Sequence, residues 1–167
     1  MKRFACLMGL LALVASSCRS APLTEEGLLR CRHAAGGGAF VGLFSFELGE
    51  LTVPPEDPAQ VDLVYYYDGD DCSRGAILGN DDEPGYLFPL GSVSRSDLAG
   101  LILPSEGAET VAGISPVTKD REGFAFWVRT QGQGDVLVRL VAVEEASHAD
   151  LQSGRVPTLQ FEWLTPR

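Results

Sequence analysis

The 167-residue chain carries 23 acidic against 13 basic residues, a net charge of −10 with neutral histidines. Nucleic acid and anionic lipid surfaces are poor partners for such a chain, because phosphate recognition needs clustered Lys and Arg. The length suits one domain with a proper core.

The chain opens with Lys2 and Arg3, continues through an uncharged apolar run from Phe4 to Val14, and reaches the small residues Ala15, Ser16 and Ser17. That order predicts a secretory signal over residues 1–17. Its apolar core is only about half of the roughly 20 residues needed to span hydrocarbon, so a cleaved leader is expected rather than a permanent span. Loss of Lys2 and Arg3 leaves 11 basic against 23 acidic residues, a net charge of −12.

The sequence Ala15, Ser16, Ser17, Cys18 resembles the lipobox of bacterial lipoproteins, with Ala15 where that family most often has Leu. The resemblance implies cleavage just before Cys18, a diacylglyceryl thioether on its sulfur and an acylated new N-terminus. Several acyl chains on one residue give stable anchoring, whereas one chain binds only marginally. Arg19 follows the cysteine, and by analogy with enterobacterial sorting the absence of Asp there implies the outer membrane. The expected location is therefore the cell envelope, facing the periplasm or the exterior, with the membrane itself as a partner through the N-terminal lipid.

Cys6 leaves with the leader, so Cys31 and Cys72 remain as thiols in an oxidising space, where they are expected to pair. A bridge between them closes a loop of about 40 residues and adds about 3 to 4 kcal/mol in the chain-entropy model. A metal or redox site lacks any C-x-x-C spacing. Residues 18–24 read as a lipidated tether and residues 25–167 as a single β-rich domain.

"TEEGLLRCRH" is expected to form one or two helical turns with Thr24 as N-cap, ended by the glycines at 36–38. Beyond them the pattern has period two. Phe40, Phe44, Phe46 and Leu48 share one face of an extended chain, with Ser45 and Glu47 on the other. After the Pro-rich loop, Val61, Leu63, Tyr65 and Tyr67 alternate with Asp62, Val64 and Tyr66. Shorter extended pieces are expected at Ala76 to Leu78, Tyr86 to Leu90, Leu101 to Leu103 and Thr110 to Ile114, with a helical turn near Ser94 or Ser96. Phe124, Phe126 and Val128 pair through a Gly-bearing loop with Val136, Val138, Leu140 and Ala142 as a hairpin. Leu159, Phe161 and Trp163 face opposite to Gln160 and Glu162 in a last strand. The whole is all-β, an antiparallel β-sandwich or small barrel with short helical turns.

Catalytic residues are not apparent. Ser, His, Asp catalysis needs an imidazole, and only His33 and His148 exist, neither near a nucleophile elbow. Trp127 and Trp163 offer stacking surfaces for sugar but serve equally well in packing. No cofactor is expected, with calcium the one candidate: Asp68, Asp70, Asp81 and Asp82 cluster in two turns, and calcium takes several carboxylate oxygens from loops. The EF-hand pattern fails, since Cys72 stands at the next ligand position.

"FSFELGE" at 44–50 followed by "VDLVYYY" at 61–67 resembles a pattern of β-rich bacterial surface lipoproteins, among them the haem-binding HmuY-like family. In that family a pair of His residues holds haem; His33 and His148 fall outside the matching stretch, so no haem ligand is carried over. The expected function is a non-enzymatic, membrane-anchored binding domain for an envelope protein or small ligand. Tyr65, Tyr66 and Tyr67 are the candidate binding face, with at most one side of that strand in the core. An envelope-polymer hydrolase using loop carboxylates or calcium, and a purely structural envelope protein, are the alternatives.

Overall fold

The computed structural model describes residues 24–33, 40–67, 75–79, 87–102, 109–130 and 134–165. Within them the strands are β1 (Glu25–Arg30), β2 (Arg32–His33), β3 (Phe40–Ser45), β4 (Gly49–Leu51), β5 (Leu63–Tyr67), β6 (Gly75–Gly79), β7 (Leu87–Ser92), β8 (Gly113–Val117), β9 (Phe124–Thr130), β10 (Gly134–Glu144) and β11 (Thr158–Leu164). A short helix, α1 (His148–Gln152), lies before β11, and 3-10 turns occupy Pro58–Gln60, Arg95–Gly100 and Lys119–Arg121. The strands form two antiparallel sheets, the first in the order β1-β11-β10-β9-β7 and the second β2-β3-β5-β6-β8, with β4 also paired to β3. The sheets stay separate and face each other as a sandwich; they do not close into a barrel.

Alternation along each strand builds the interior. Leu159, Phe161 and Trp163 of β11 and Val136, Val138 and Leu140 of β10 meet Phe44 of β3 and Leu63, Tyr65 and Tyr67 of β5 in one cluster. Its centre is aromatic: the Phe44 ring stands edge-on to Phe161 at 4.9 Å and to Trp163 at 5.4 Å, and Phe46 lies 5.7 Å from Trp163. Each such pair adds about 0.5 to 1.5 kcal/mol beyond the area it buries.

Several local expectations change once partners are available. The segment expected as helical turns after Thr24 is instead β1, because β11 offers it a full ladder from Glu25 opposite Trp163 to Arg30 opposite Thr158. A helix that short is marginal without tertiary support, whereas the strand buries Leu29 completely. Gly27 belongs to this pairing: a Cβ there would collide with the Phe161 ring, which occupies the space above it. The polar connection at 145–154 contains α1, nucleated by a capping box in which Ser147 Oγ accepts from the Asp150 N–H and Asp150 accepts from the Ser147 N–H at 2.9 Å. Leu101 is not in a strand but follows the 3-10 turn and packs beside Leu98.

Two residues placed on the inner face lie outside it. Leu48 sits on the β3–β4 turn and is 59% exposed, while Phe46 before it is buried. In β10 a register shift between Leu140 and Ala142 carries Val143 into the core in place of Ala142, which is only half-buried, while Val141 stays outward as simple alternation places it. A bulge of this kind exchanges the faces of everything beyond it.

Gly75 opposes the Tyr65 ring, and a Cβ there would stand 2.5 Å from it. Because Tyr65 is fully buried, Gly75→Ala should cost about 1 to 3 kcal/mol through overpacking, read as a lower urea midpoint with an unchanged slope. An unchanged midpoint would show that the ring yields at no cost.

Candidate functional site

The outward residues of the first sheet fall into three cross-strand rows. The row nearest the start of β1 joins Leu164, Leu137, Trp127 and Phe88 across β11, β10, β9 and β7. It is covered by the chain that leaves β7: Leu98 is buried against Trp127 and Leu137, with Val93 and Leu101 packed alongside. This strap gives the first sheet a second, smaller core on its outer side.

The next row is charged. Glu162 of β11 is only 3% exposed, and burying a carboxylate is costly unless it is paired and hydrogen-bonded. Arg139 of β10 reaches Glu162 Oε1 at 2.9 Å and Arg95 of the strap reaches Oε2 at 2.9 Å. The Thr24 hydroxyl donates to Oε2 at 3.0 Å and accepts from Arg95 Nη2 at 2.9 Å. Arg139 Nε also donates to the Val93 carbonyl at 2.8 Å. One carboxylate therefore fixes the strap and the first described residue of the chain to the same sheet.

The third row is a shallow groove of about 330 Å³ lined by Glu26, Leu28, Val141 and Gln160 over Gly27 and Phe161. Glu26 stands opposite Glu162, and with Arg95 and Arg139 committed to Glu162 its carboxylate is the one charged group lining the groove.

The outer face of the second sheet is different in kind. One row runs Leu51, Leu43, Val64, Leu78 and Gly113 across β4, β3, β5, β6 and β8. The adjacent row runs Arg32, Val41, Tyr66 and Ala76. Arg32, at the edge, is the single charge in these rows, and Glu50 faces it at 3.7 Å. Tyr66 is 37% exposed, and Val41, Leu43, Leu51, Val64, Ala76 and Leu78 are half-buried.

This arrangement divides the tyrosine triplet. Tyr65 and Tyr67 cannot serve as a binding face: both are 0% exposed in the core, where period-two alternation turns them toward the opposite sheet. Tyr67 donates to the Ala146 carbonyl at 3.2 Å, and the Tyr65 hydroxyl is buried without a partner. Tyr66 alone faces out. Trp127 and Trp163 are likewise packed, at 2% and 8% exposure, which removes them as sugar-stacking platforms.

Of the expected Cys31–Cys72 pair, only Cys31 lies among the described residues. Cys31 is a free, fully buried thiol that donates to the Tyr65 carbonyl at 3.5 Å. Its place between β1 and β2 turns the sulfur into the core beside β5, away from solvent. Burial pushes its pKa up to about 12, with the Gly42 backbone partly offsetting, so it behaves as a small apolar residue. Cys72, the lipid-attachment Cys18 and the calcium candidates Asp68, Asp70, Asp81 and Asp82 lie outside the described residues. Among the described residues no group of three or more His, Cys, Asp or Glu is placed to hold a metal, and no helix is long and apolar enough to cross a membrane. His148 is exposed at the first turn of α1.

Fold and faces together define an all-β sandwich with one charged, strapped outer face and one apolar outer face. Compared with known families, curated proteins and solved structures, the chain matches none.

Glu162→Gln should lower stability by about 1 to 3 kcal/mol, since it leaves charge-assisted hydrogen bonds from two arginines unmet. Molar salt should leave most of that difference in place, because buried pairs are poorly screened; equal stabilities of the two proteins in high salt would contradict the geometry. For Cys31, peptide mapping after maleimide treatment should find it unmodified in the native protein at pH 8 and modified in urea. Labelling of the native thiol would place it at the surface.

Proposed function

We propose that this chain is an exported lipoprotein, anchored in the outer membrane through acyl chains on Cys18, that works as a non-enzymatic binding domain for an envelope protein. The observation that carries the binding half of this reading is the uncharged double row on the outer face of the second sheet, from Leu51 to Leu78 and from Val41 to Ala76. A contiguous apolar face on an otherwise strongly acidic protein marks a contact surface, and aromatic residues such as Tyr66 favour the centre of such contacts. The anchoring half rests on the leader and on Ala15 to Cys18.

Two measurements test the two halves. Intact mass spectrometry of protein extracted from the membrane fraction should show acyl chains, and Cys18→Ser should release the chain to the soluble fraction; a full-length chain with a reactive Cys18 would remove the anchor. A photo-crosslinking residue at Tyr66 should capture one envelope protein in intact cells, whereas the same residue at Gln160, outward on the first sheet, should not. Leu43→Lys should abolish the Tyr66 crosslink with little change in melting temperature. Equal crosslinking at both positions, or indifference to Leu43→Lys, would remove the second-sheet face from the reading.

A further inference from the structure

The chain between the anchor and the folded domain is short. From Cys18 to Thr24 are six residue steps, and a fully extended chain spans at most about 3.3 to 3.6 Å per residue, so Thr24 stays within roughly 20 Å of the acylated cysteine. Thr24 is not free to swing, because its hydroxyl is held by Glu162 at 3.0 Å and by Arg95 at 2.9 Å. The tether thus leaves the fold at the Thr24 end of the sandwich, which is the end nearest the acylated cysteine.

That end carries two large exposed apolar side chains. Leu48, 59% exposed, tips the β3–β4 turn. Two residues earlier, Phe46 packs on Trp163 at 5.7 Å, and Trp163 is the partner of Glu25, the residue after Thr24. Ile102, 87% exposed, follows Leu101 at the exit of the strap. Leu101 and Leu164 pack against the same outer cluster, and Leu164 directly follows Trp163 on β11. The opposite end of the sandwich, where Arg30 faces Thr158 and α1 precedes β11, is on the far side of the ladder from Thr24.

We propose that the Thr24 end of the sandwich lies on the lipid surface that holds the anchor, with Leu48 and Ile102 seated in the headgroup boundary. The inference rests on Cys18 acylation and adds to it an orientation: both outer sheet faces stand away from the bilayer, leaving the Tyr66 face open to a protein partner. Glu25, Glu47 and Asp97 are exposed on the segments that form this end, so the surface suits zwitterionic headgroups and is repelled by anionic ones. Apolar contact from two side chains is weak alone and becomes effective because the anchor holds it at high local concentration.

The test uses the acylated full chain in a Cys72→Ser background, reconstituted into phosphatidylethanolamine and phosphatidylcholine vesicles that contain spin-labelled lipid. A fluorophore is placed in turn at Leu48→Cys, Ile102→Cys and, as the distal control, Gln152→Cys on α1; Leu48, Ile102 and Gln152 are exposed, so the core is untouched. At positions 48 and 102 emission should fall by roughly half or more while position 152 changes by less than about a tenth, as expected for groups about 5 to 10 Å into the boundary. Replacing part of the lipid with phosphatidylglycerol should weaken the quenching at 48 and 102. Acylated protein with equal quenching at the three sites overturns the orientation and leaves the lipoprotein reading standing. A mass spectrum without acyl chains overturns both.

Discussion

The contact between Phe44 and the pair Phe161 and Trp163 joins the two sheets, and much else follows from it. These rings interlock at 4.9 and 5.4 Å only if β11 presents Phe161 and Trp163 to the same side. The period of two then forces Glu162, between them in sequence, onto the outer surface of the first sheet. There the carboxylate is trapped beneath the strap and has to be matched by Arg95 and Arg139. The aromatic join and the charged clasp are two sides of one strand. The first holds the layers together; the second decides where the strap and the start of the chain are fastened.

Elsewhere, polar groups serve corners rather than chemistry. Asp62 accepts from the Phe46 N–H at 2.8 Å and ties the β3–β4 turn to the residue before β5. Burial raises its carboxyl above the usual range, with the Phe46 and Ser45 hydrogen bonds opposing and Glu47 adding to the rise. A carboxyl raised on folding supports the folded state at low pH and loses that support as pH climbs through the folded value. Asp150 is the reverse case: the Ser147 hydroxyl and N–H hold it low, so its support is present near neutrality and fades as pH falls. Edges are guarded as well. Glu50 takes the outward Arg30 N–H at 3.0 Å, Leu87 at the opposite edge of that sheet bridges to Val111, and Pro89 and Pro116 each remove a donor from an edge strand.

The proposed anchor gives the two outer sheet faces different tasks. Under that proposal a tether held at Thr24 sets the sandwich end-on to the bilayer, so neither sheet is hidden by lipid. The first sheet already covers its outer apolar row with Leu98 and Leu101. The second sheet has no such cover among the described residues, and its rows around Leu43 and Tyr66 stay partly exposed. Retaining that surface on a chain with a net charge of −10 is consistent with a partner that fills it.

Sequence alone determined the all-β class, the hairpin of β9 and β10 and the inward Leu159, Phe161 and Trp163, because each is written in a local alternation. The tyrosine triplet shows the limit: alternation separates Tyr66 from Tyr65 and Tyr67, but which side is core depends on where the other sheet lies. Counting pairs Cys31 with Cys72, whereas the burial of Cys31 beside β5 comes from β1 joining β11. That pairing also overrode the helical character of "TEEGLLR", since a ladder of six partners outweighs the weak propensity of one or two helical turns. The bulge that brings Val143 inward in place of Ala142, the strap over Trp127 and the clasp on Glu162 were decided only by tertiary structure, because each joins residues far apart in the chain, and no short-range pattern encodes which distant surface will supply the partner.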